Sequence, residues 1–315
     1  MGGAMSQVCK GAAWAIAVAA LTTTAAFAGG AWVPERGDGD IQFGYSRKTA
    51  YSSWNVEGDP VDNASGHDFR YAYLSGEIGF GHGLSMRYSA LYLNGYEGTP
   101  GNEEQNRGTS ELFLGVKYRV HEGTWPMAVA AHMRTSILYD QYGTYDRHLF
   151  LPDEDDVDGD LDDTEALFNG VNSEWRGLLG EDYGLMFLAS RSMFDGGWLN
   201  LEIGYTYRTG NLADEIPVWA ELGYRTPWRP LAIKGTISYV QSVGNNDEVR
   251  DPDDRFGCSD TNCFPDASRA VVGGSVMFDL GKNALWWVEA GYNWFVWGES
   301  TRQYEEPFFS IGRRF

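Results

Sequence analysis

Hydrophobic and polar residues alternate one by one along much of the chain. In residues 199–208, two leucines, an isoleucine and two tyrosines take the odd positions, and Asn, Glu, Gly, Thr and Arg take the even ones. Residues 218–225 repeat this alternation. Successive side chains of a β-strand point to opposite faces, so the pattern predicts strands with one apolar and one polar face. These stretches approach about 9 to 11 residues, the length that a tilted strand needs to cross a membrane.

Short and longer links alternate between these stretches along the chain. We predict twelve strands, starting near Ile41, Phe69, Leu84, Glu111, Met127, Leu185, Trp198, Val218, Leu231, Ala270, Leu285 and Pro307. The short links are residues 80–83, 121–126, 195–197, 226–230 and 281–284, and the longer ones are 52–66, 94–108, 140–183, 209–216, 243–268 and 298–306. Outer-membrane barrels alternate short periplasmic turns with longer external loops. The sequence therefore predicts an all-β fold, a transmembrane antiparallel β-barrel of about twelve strands with both termini in the periplasm.

The start of the chain has the features of an export signal. Lys10 precedes an apolar run that closes in the small-residue triplet 26–28. This arrangement predicts a signal peptide over residues 1–28 that is cleaved from the mature protein. Residues 29–315 are then expected to form a single outer-membrane barrel domain.

The end of the chain has the features of a last barrel strand. The chain closes on Phe315, with Phe309 and Ile311 on the same strand face. This resembles the C-terminal signal that the barrel-assembly machinery binds, although Arg313 stands where an apolar residue is usual. We therefore expect the outer membrane of a Gram-negative bacterium, with its lipid and the assembly machinery as partners.

Composition and charge agree with a membrane barrel. Aromatic residues make up 15% of the chain, and glycines number 40. Barrels are rich in both, because aromatic girdles mark the membrane interfaces and glycine eases turns and strand curvature. The formal net charge of −20 at pH 7 excludes a nucleic-acid partner and is typical of a solvated surface facing cations.

Three stretches in the first third of the chain are distinctive. They are Trp-Val-Pro at 32–34 leading into Ile-Gln-Phe-Gly-Tyr-Ser at 41–46, the glycine-rich hairpin 75–85, and the strand 112–119. Together they resemble a family of outer-membrane proteins associated with the meta-pathway of phenol degradation. The resemblance implies a barrel that passes small compounds, often aromatic or apolar, without identifying the solute.

The polar faces of the predicted strands carry charges of both signs. If the apolar faces contact lipid, these charged side chains point into the barrel lumen. They are Arg87, Glu111, Lys117, Arg134, Glu202, Arg208, Glu221, Arg225, Lys234 and Glu289. One hypothesis is a narrow solute path whose selectivity is set by pore radius and charge. The alternative is a lumen plugged by its own salt-bridged side chains, as in barrels of about eight strands.

The external link 140–183 exceeds the usual length of a structureless loop. We expect it to fold on itself or to dip into the barrel. Its residues 164–179 predict a short amphipathic helix with an apolar stripe of Leu167, Phe168, Val171 and Trp175. A constriction of the lumen, a lid and a packed external loop are the three interpretations of this segment.

An acidic run inside the same link nearly fits the twelve-residue calcium loop. Gly159 falls at the sharp turn, and oxygen ligands alternate along the run. The ligands would be Glu154, Asp156, Asp158, Asp160, Asp162 and Glu165. A Glu at the first ligand position, where Asp is usual, favours the alternative of a solvated acidic loop. No cofactor is required by the sequence, and Ca²⁺ in this loop is the one candidate.

Two cysteines lie in the longer link 243–268. Cys258 and Cys263 sit in the polar stretch 251–266. In an oxidising compartment this spacing predicts a small loop disulfide, and a metal-binding pair is the alternative.

The histidines give no support to an enzyme. Outer-membrane lipid hydrolases resemble one another in a His-x-Ser arrangement that brings a base next to a nucleophile. None of the five histidines is followed two positions later by a serine. His132 lies in a predicted strand interior, where a polar lumen position is the simpler interpretation.

The residues thus support two hypotheses about function. The first is an outer-membrane channel or transporter for small solutes, including aromatic or apolar compounds, through a narrow charged lumen. The second is a structural or surface-interaction barrel with a plugged lumen, which the large acidic loops suggest. A hydrolase is disfavoured by the histidine contexts.

Overall fold

The computed structural model describes most of the predicted mature chain. The described residues are 30–54, 58–99, 102–138, 181–209, 213–228, 230–243, 268–281, 283–299 and 301–315. The predicted signal peptide, the helix at 164–179, the acidic run with Glu154 to Glu165, and Cys258 with Cys263 lie outside these residues. Each stays a prediction.

The strands form one closed sheet, which confirms the predicted antiparallel barrel of twelve strands. Each strand pairs with its neighbours in sequence, and β1 pairs with β12 to close the ring. The strands are β1 Gly39–Trp54, β2 Pro60–Gly81, β3 Leu84–Thr99, β4 Asn102–His121, β5 Met127–Leu138, β6 Asp182–Ser192, β7 Gly197–Arg208, β8 Asp214–Arg225, β9 Leu231–Val243, β10 Ser268–Leu280, β11 Trp286–Glu299 and β12 Thr301–Arg314. Within the described ranges, no helix is long and apolar enough to cross a membrane.

The two ends of the barrel differ in their links. At the terminal end, β1 begins, β12 ends and the links are short. At the loop end, the chain passes through the two longest links, between β5 and β6 and between β9 and β10. That the terminal end faces the periplasm stays a prediction.

Several strands run further toward the loop end than the sequence pattern indicates. The loops expected at 52–66, 94–108 and 298–306 are wrong for most of their length, because strand pairing continues through them. Backbone hydrogen bonds need no apolar side chain, so a hairpin ladder can extend beyond the lipid-facing band. The polar and glycine-rich residues there carry no alternation, which is why they resemble loops in the sequence.

The distribution of side chains is inverted relative to a soluble protein. Large apolar residues such as Leu185, Ile203 and Leu222 are exposed on the outer wall, while lysines, arginines and glutamates are buried on the inner wall. Lys117, for example, is completely buried. Only a lipid environment makes an exposed apolar wall favourable, and the membrane barrels of bacteria have this arrangement.

A short N-terminal segment lies inside the barrel, a feature that strand periodicity does not indicate. Ala31 is completely buried and packs with Ala128 and Leu188 of the inner wall. The backbone N–H of Ala31 donates to Ser190 Oγ at 2.7 Å. Between this segment and β1, the backbone N–H of Gly37 donates to the carbonyl of Gly79. It therefore narrows the lumen from the terminal end.

An arginine scan along the outer face of β7 tests whether this wall contacts lipid. Ile203 lies at mid-strand and Tyr207 near the loop end, and both are exposed. We expect Ile203→Arg to cost about 2–4 kcal/mol of folding free energy and Tyr207→Arg about 0–1 kcal/mol, because the cost of a charge falls with distance from the bilayer midplane. Urea unfolding in phospholipid vesicles measures both values. Equal costs at the two positions would contradict a lipid-facing wall.

Candidate functional site

The structure places all ten predicted lumen charges on the inward face of their strands. Eight of them are buried: Arg87, Lys117, Arg134, Glu202, Arg208, Glu221, Lys234 and Glu289. Glu111 and Arg225 are half-buried. Inward position follows from the strand period, since each of these residues alternates with an outward apolar neighbour. The geometry divides them into five groups of ion pairs.

The largest group forms an arch over β4 to β8 at the loop end. Arg134 lies 3.2 Å from Glu111 and 3.8 Å from Asp182. Arg208 lies 3.4 Å from Asp182 and 3.1 Å from Glu215. Negative and positive groups therefore alternate across five neighbouring strands, and each arginine sits between two carboxylates.

The second group lies in the terminal half of the barrel, on β8, β9 and β11. Lys234 Nζ is 2.7 Å from Glu289 and 3.8 Å from Glu221. Glu221 also accepts hydrogen bonds from Trp198 Nε1 at 2.7 Å and from Asn200 Nδ2 at 3.0 Å. These two neutral donors supply hydrogen bonds to Glu221, which lies farther from Lys234 than Glu289 does.

The third group ties the N-terminal segment to the wall. Lys117 Nζ lies 2.7 Å from Glu77, and it donates to the carbonyls of Gly30 at 3.2 Å and Trp32 at 2.6 Å. Ser85 also donates to Glu77, at 2.5 Å. One ammonium group therefore holds both a buried carboxylate and the segment that narrows the lumen.

Two further groups of ion pairs join strands that are not neighbours in the sheet. Arg87 of β3 and Glu202 of β7 approach to 3.7 Å, although three strands separate them along the wall. At the terminal end, Asp279 pairs with Arg225 and with Arg314, the latter at 3.1 Å. The inner wall is thus cross-linked by charge over most of its circumference.

The opposite side of the loop end is rich in aromatic side chains, and Lys48, Arg269 and Glu306 are buried there as well. Its buried cluster, which we call the aromatic wall, comprises Ala50, Trp54, Tyr71, Val271, Phe295 and Tyr304. The Lys48 ammonium lies among its rings, 5.1 to 5.5 Å from the centroids of Tyr71, Phe295 and Tyr304. Aromatic faces attract cations at these distances. At this level the arch lines the lumen on β4 to β8, and the aromatic wall lines it on β1, β2 and β10 to β12.

Sequence analysis missed several partners of the predicted charges. Glu77 and Lys48 lie at inward positions of alternating strands, so the alternation itself could have found them. Asp182 and Glu215 fell in stretches predicted as loops, because their strands begin earlier than the apolar alternation does. Asp279 stands on the polar face at the end of β10 and was overlooked.

No group of three or more His, Cys, Asp and Glu side chains in the described ranges is placed to hold a metal ion. His132 faces inward and stacks on Phe113, with ring centroids 5.1 Å apart. This contact is that of a packed polar residue of the wall.

Comparison with known proteins finds likeness in structure alone. No family model matches the chain, and no curated protein matches it. The barrel is similar to an outer-membrane channel from Pseudomonas putida F1, with 12% identity, a TM-score of 0.58, and coverage of 90% of this chain and 97% of that one. It is also similar to the KdgM porin in complex with disordered oligogalacturonate (6% identity, TM-score 0.48, 88% and 99% covered). A mutant of the TodX monoaromatic hydrocarbon channel shares 9% identity, with a TM-score of 0.43 and 90% and 92% covered.

The fold and its apolar outer wall define the class: this is a β-barrel protein of the Gram-negative outer membrane. Its fold is that of outer-membrane channels. The resemblance of the sequence to the phenol-degradation family stays a prediction.

Replacement of the lysine in the third group tests how strongly the lumen depends on pairing. In Lys117→Met, Glu77 is left buried without its cation, and we expect a loss of about 3–5 kcal/mol in folding free energy. In the double variant Lys117→Met with Glu77→Gln, the uncompensated charge is gone and most of that loss should be recovered. Urea unfolding of both variants in vesicles, followed by tryptophan fluorescence, measures the difference. A single variant that is as stable as the wild type would show that the pair is solvated.

Proposed function

We propose that this barrel is a channel for small solutes with aromatic or apolar character, passing through a narrow lumen. The observation that carries the proposal is the division of the lumen at the loop end into a charged arch and the aromatic wall. An aromatic surface inside a membrane barrel offers dispersion and stacking contacts to an apolar molecule.

The pairing of the charges supports the same solute class. Each cation of the arch lies within 4 Å of two carboxylates. Removing water from an unpaired charge is costly, whereas a charge that is already paired needs less hydration. An apolar solute can therefore pass the arch without stripping water from an isolated ion. The similar protein from Pseudomonas putida F1 is an outer-membrane channel, which agrees with a transport role.

A second candidate function is that of a structural barrel with a plugged lumen. Two observations favour it: the burial of Ala31 inside the barrel and the Arg87–Glu202 contact between distant strands. Both reduce the open cross-section. The second candidate predicts no conductance, and the first predicts a small one.

Conductance in planar bilayers distinguishes the two candidates. We expect the folded wild type to give small discrete steps, and a variant lacking residues 30–33 to give steps several-fold larger, because the buried segment that narrows the lumen is removed. Heat-modifiable gel mobility provides the control that both proteins are folded. If both folded proteins are silent, the barrel is structural and the transport proposal fails.

The solute class is tested by blocking of that current. We expect a small aromatic alcohol to reduce the wild-type current at lower concentration than a neutral sugar of similar mass does. Phe295→Ala should weaken the block, because this ring belongs to the aromatic wall. Leu222→Ala, on the lipid-facing side, is the matched control and should leave the block unchanged. Equal blocking by the sugar and the alcohol would contradict the apolar path.

A further inference from the structure

The N-terminal segment inside the barrel carries one large aromatic side chain. Ala31 and Val33 are buried against the inner wall, where they pack with Ala128 and Leu188. Trp32 stands between them in the sequence and is 44% exposed. Successive side chains of an extended chain point to opposite sides. Because both neighbours of Trp32 face the wall, its indole faces the lumen.

Trp32 lies inside the terminal mouth of the barrel. Its carbonyl accepts a hydrogen bond from Lys117 Nζ at 2.6 Å, and the adjacent Ala31 packs on Leu188. Lys117 and Leu188 each stand four residues before the terminal end of their strand. At about 3.3 Å per residue, this distance is roughly 13 Å of strand. The indole therefore belongs to the lumen and not to the rim.

The backbone on both sides of the indole is fixed to the wall. Lys117 donates to the carbonyl of Gly30 at 3.2 Å as well as to that of Trp32. The N–H of Ala31 donates to Ser190 Oγ at 2.7 Å. A ring on a backbone that is already held in place loses little conformational freedom when it binds a partner. These hydrogen bonds therefore prepare Trp32 for a contact in the lumen.

The exposed indole suits an aromatic partner. Apolar surface in contact with water is unfavourable, and a molecule that covers the ring removes part of that surface from water. Two aromatic rings also attract each other in offset-stacked or edge-to-face arrangements. The ammonium that holds Trp32 is itself 2.7 Å from Glu77, so an apolar molecule at this point meets a paired charge.

Trp32 and the aromatic wall lie at opposite ends of the lumen. Phe295 of the aromatic wall stands four residues before the loop end of β11, whereas Trp32 is held near the terminal end. Passage through a channel requires binding that is favourable enough for entry and weak enough, or divided among enough sites, for release. Two separate aromatic contacts along one lumen meet this requirement for an aromatic solute.

We propose that Trp32 is a specificity-determining residue of the channel, which binds small aromatic solutes by ring stacking at the terminal end of the lumen. This inference rests on the proposed function, because it needs a conducting lumen. The N-terminal segment then selects the solute as well as narrowing the path. Lys117 is a positioning residue, which acts on the solute through the backbone of the segment.

Two substitutions separate ring stacking from lumen width. Trp32→Phe keeps a ring and Trp32→Leu removes it, and both side chains are smaller than indole. We expect Trp32→Leu to need about three- to tenfold more benzyl alcohol for half-block of the planar-bilayer current, as the loss of one aromatic contact allows. Trp32→Phe should stay within about twofold of the wild type. Trp286→Leu is the matched control, because Trp286 is 46% exposed on the outer wall at the same end, and it should leave the block unchanged.

Heat-modifiable mobility establishes that each variant is folded before currents are compared. Equal weakening by Trp32→Phe and Trp32→Leu would overturn the inference, since lumen width would explain both. Equal weakening by Trp286→Leu would also overturn it, because the alcohol would then act through the membrane. If Phe295→Ala weakens the block and Trp32→Leu does not, this inference fails and the proposed function stands. A wild type that is silent, or that a neutral sugar blocks equally, overturns both together.

Discussion

Backbone hydrogen bonding in a medium without water is the constraint on which this structure depends. Each unpaired N–H or C=O group in hydrocarbon costs several kcal/mol, so a sheet that spans a membrane must have no open edge. Pairing of β1 with β12 removes the edge over most of both strands. At the terminal end, Gly39 and Phe315 exchange reciprocal backbone hydrogen bonds at 3.0 Å. The last residue of the chain therefore takes part in closing the ring.

Closure creates a second requirement, inside the barrel. Once the outer face is apolar, the strand period sends every other residue inward, and in this chain many of those residues are charged. Most of these side chains are buried, so water cannot compensate their charges. Breaking a buried pair leaves an uncompensated charge, which costs more than the pair itself contributes. In this barrel, the ion-pair groups and the contact of Lys117 with the N-terminal segment compensate the buried charges.

The features that depend on local periodicity could be predicted from the sequence. It predicted twelve strands, and the structure places Arg134 and Lys234 at inward positions as the alternation indicates. Periodicity could not indicate that Ala31 packs inside the barrel, because its partner Ser190 is 159 positions away and no repeat connects them. It also could not show which charges meet, since Arg87 and Glu202 approach through the curvature of a closed sheet. Such contacts depend on the radius and stagger of the barrel, which no single strand encodes.

Two adjacent residues of β1 show how closely the inner and outer chemistry are coupled. Lys48 points inward and is 1% exposed among the rings of the aromatic wall, whereas Arg47 points outward to Asp68. A shift of the strand by one residue would exchange these two environments, because the side-chain period is two. It would then place an arginine among the inner rings and a lysine on the outer face. The ladder with β2, in which Ser46 pairs with Tyr71 and Arg47 with Arg70, excludes that shift. The register that closes the barrel therefore also determines which cation faces the lumen and which faces the membrane.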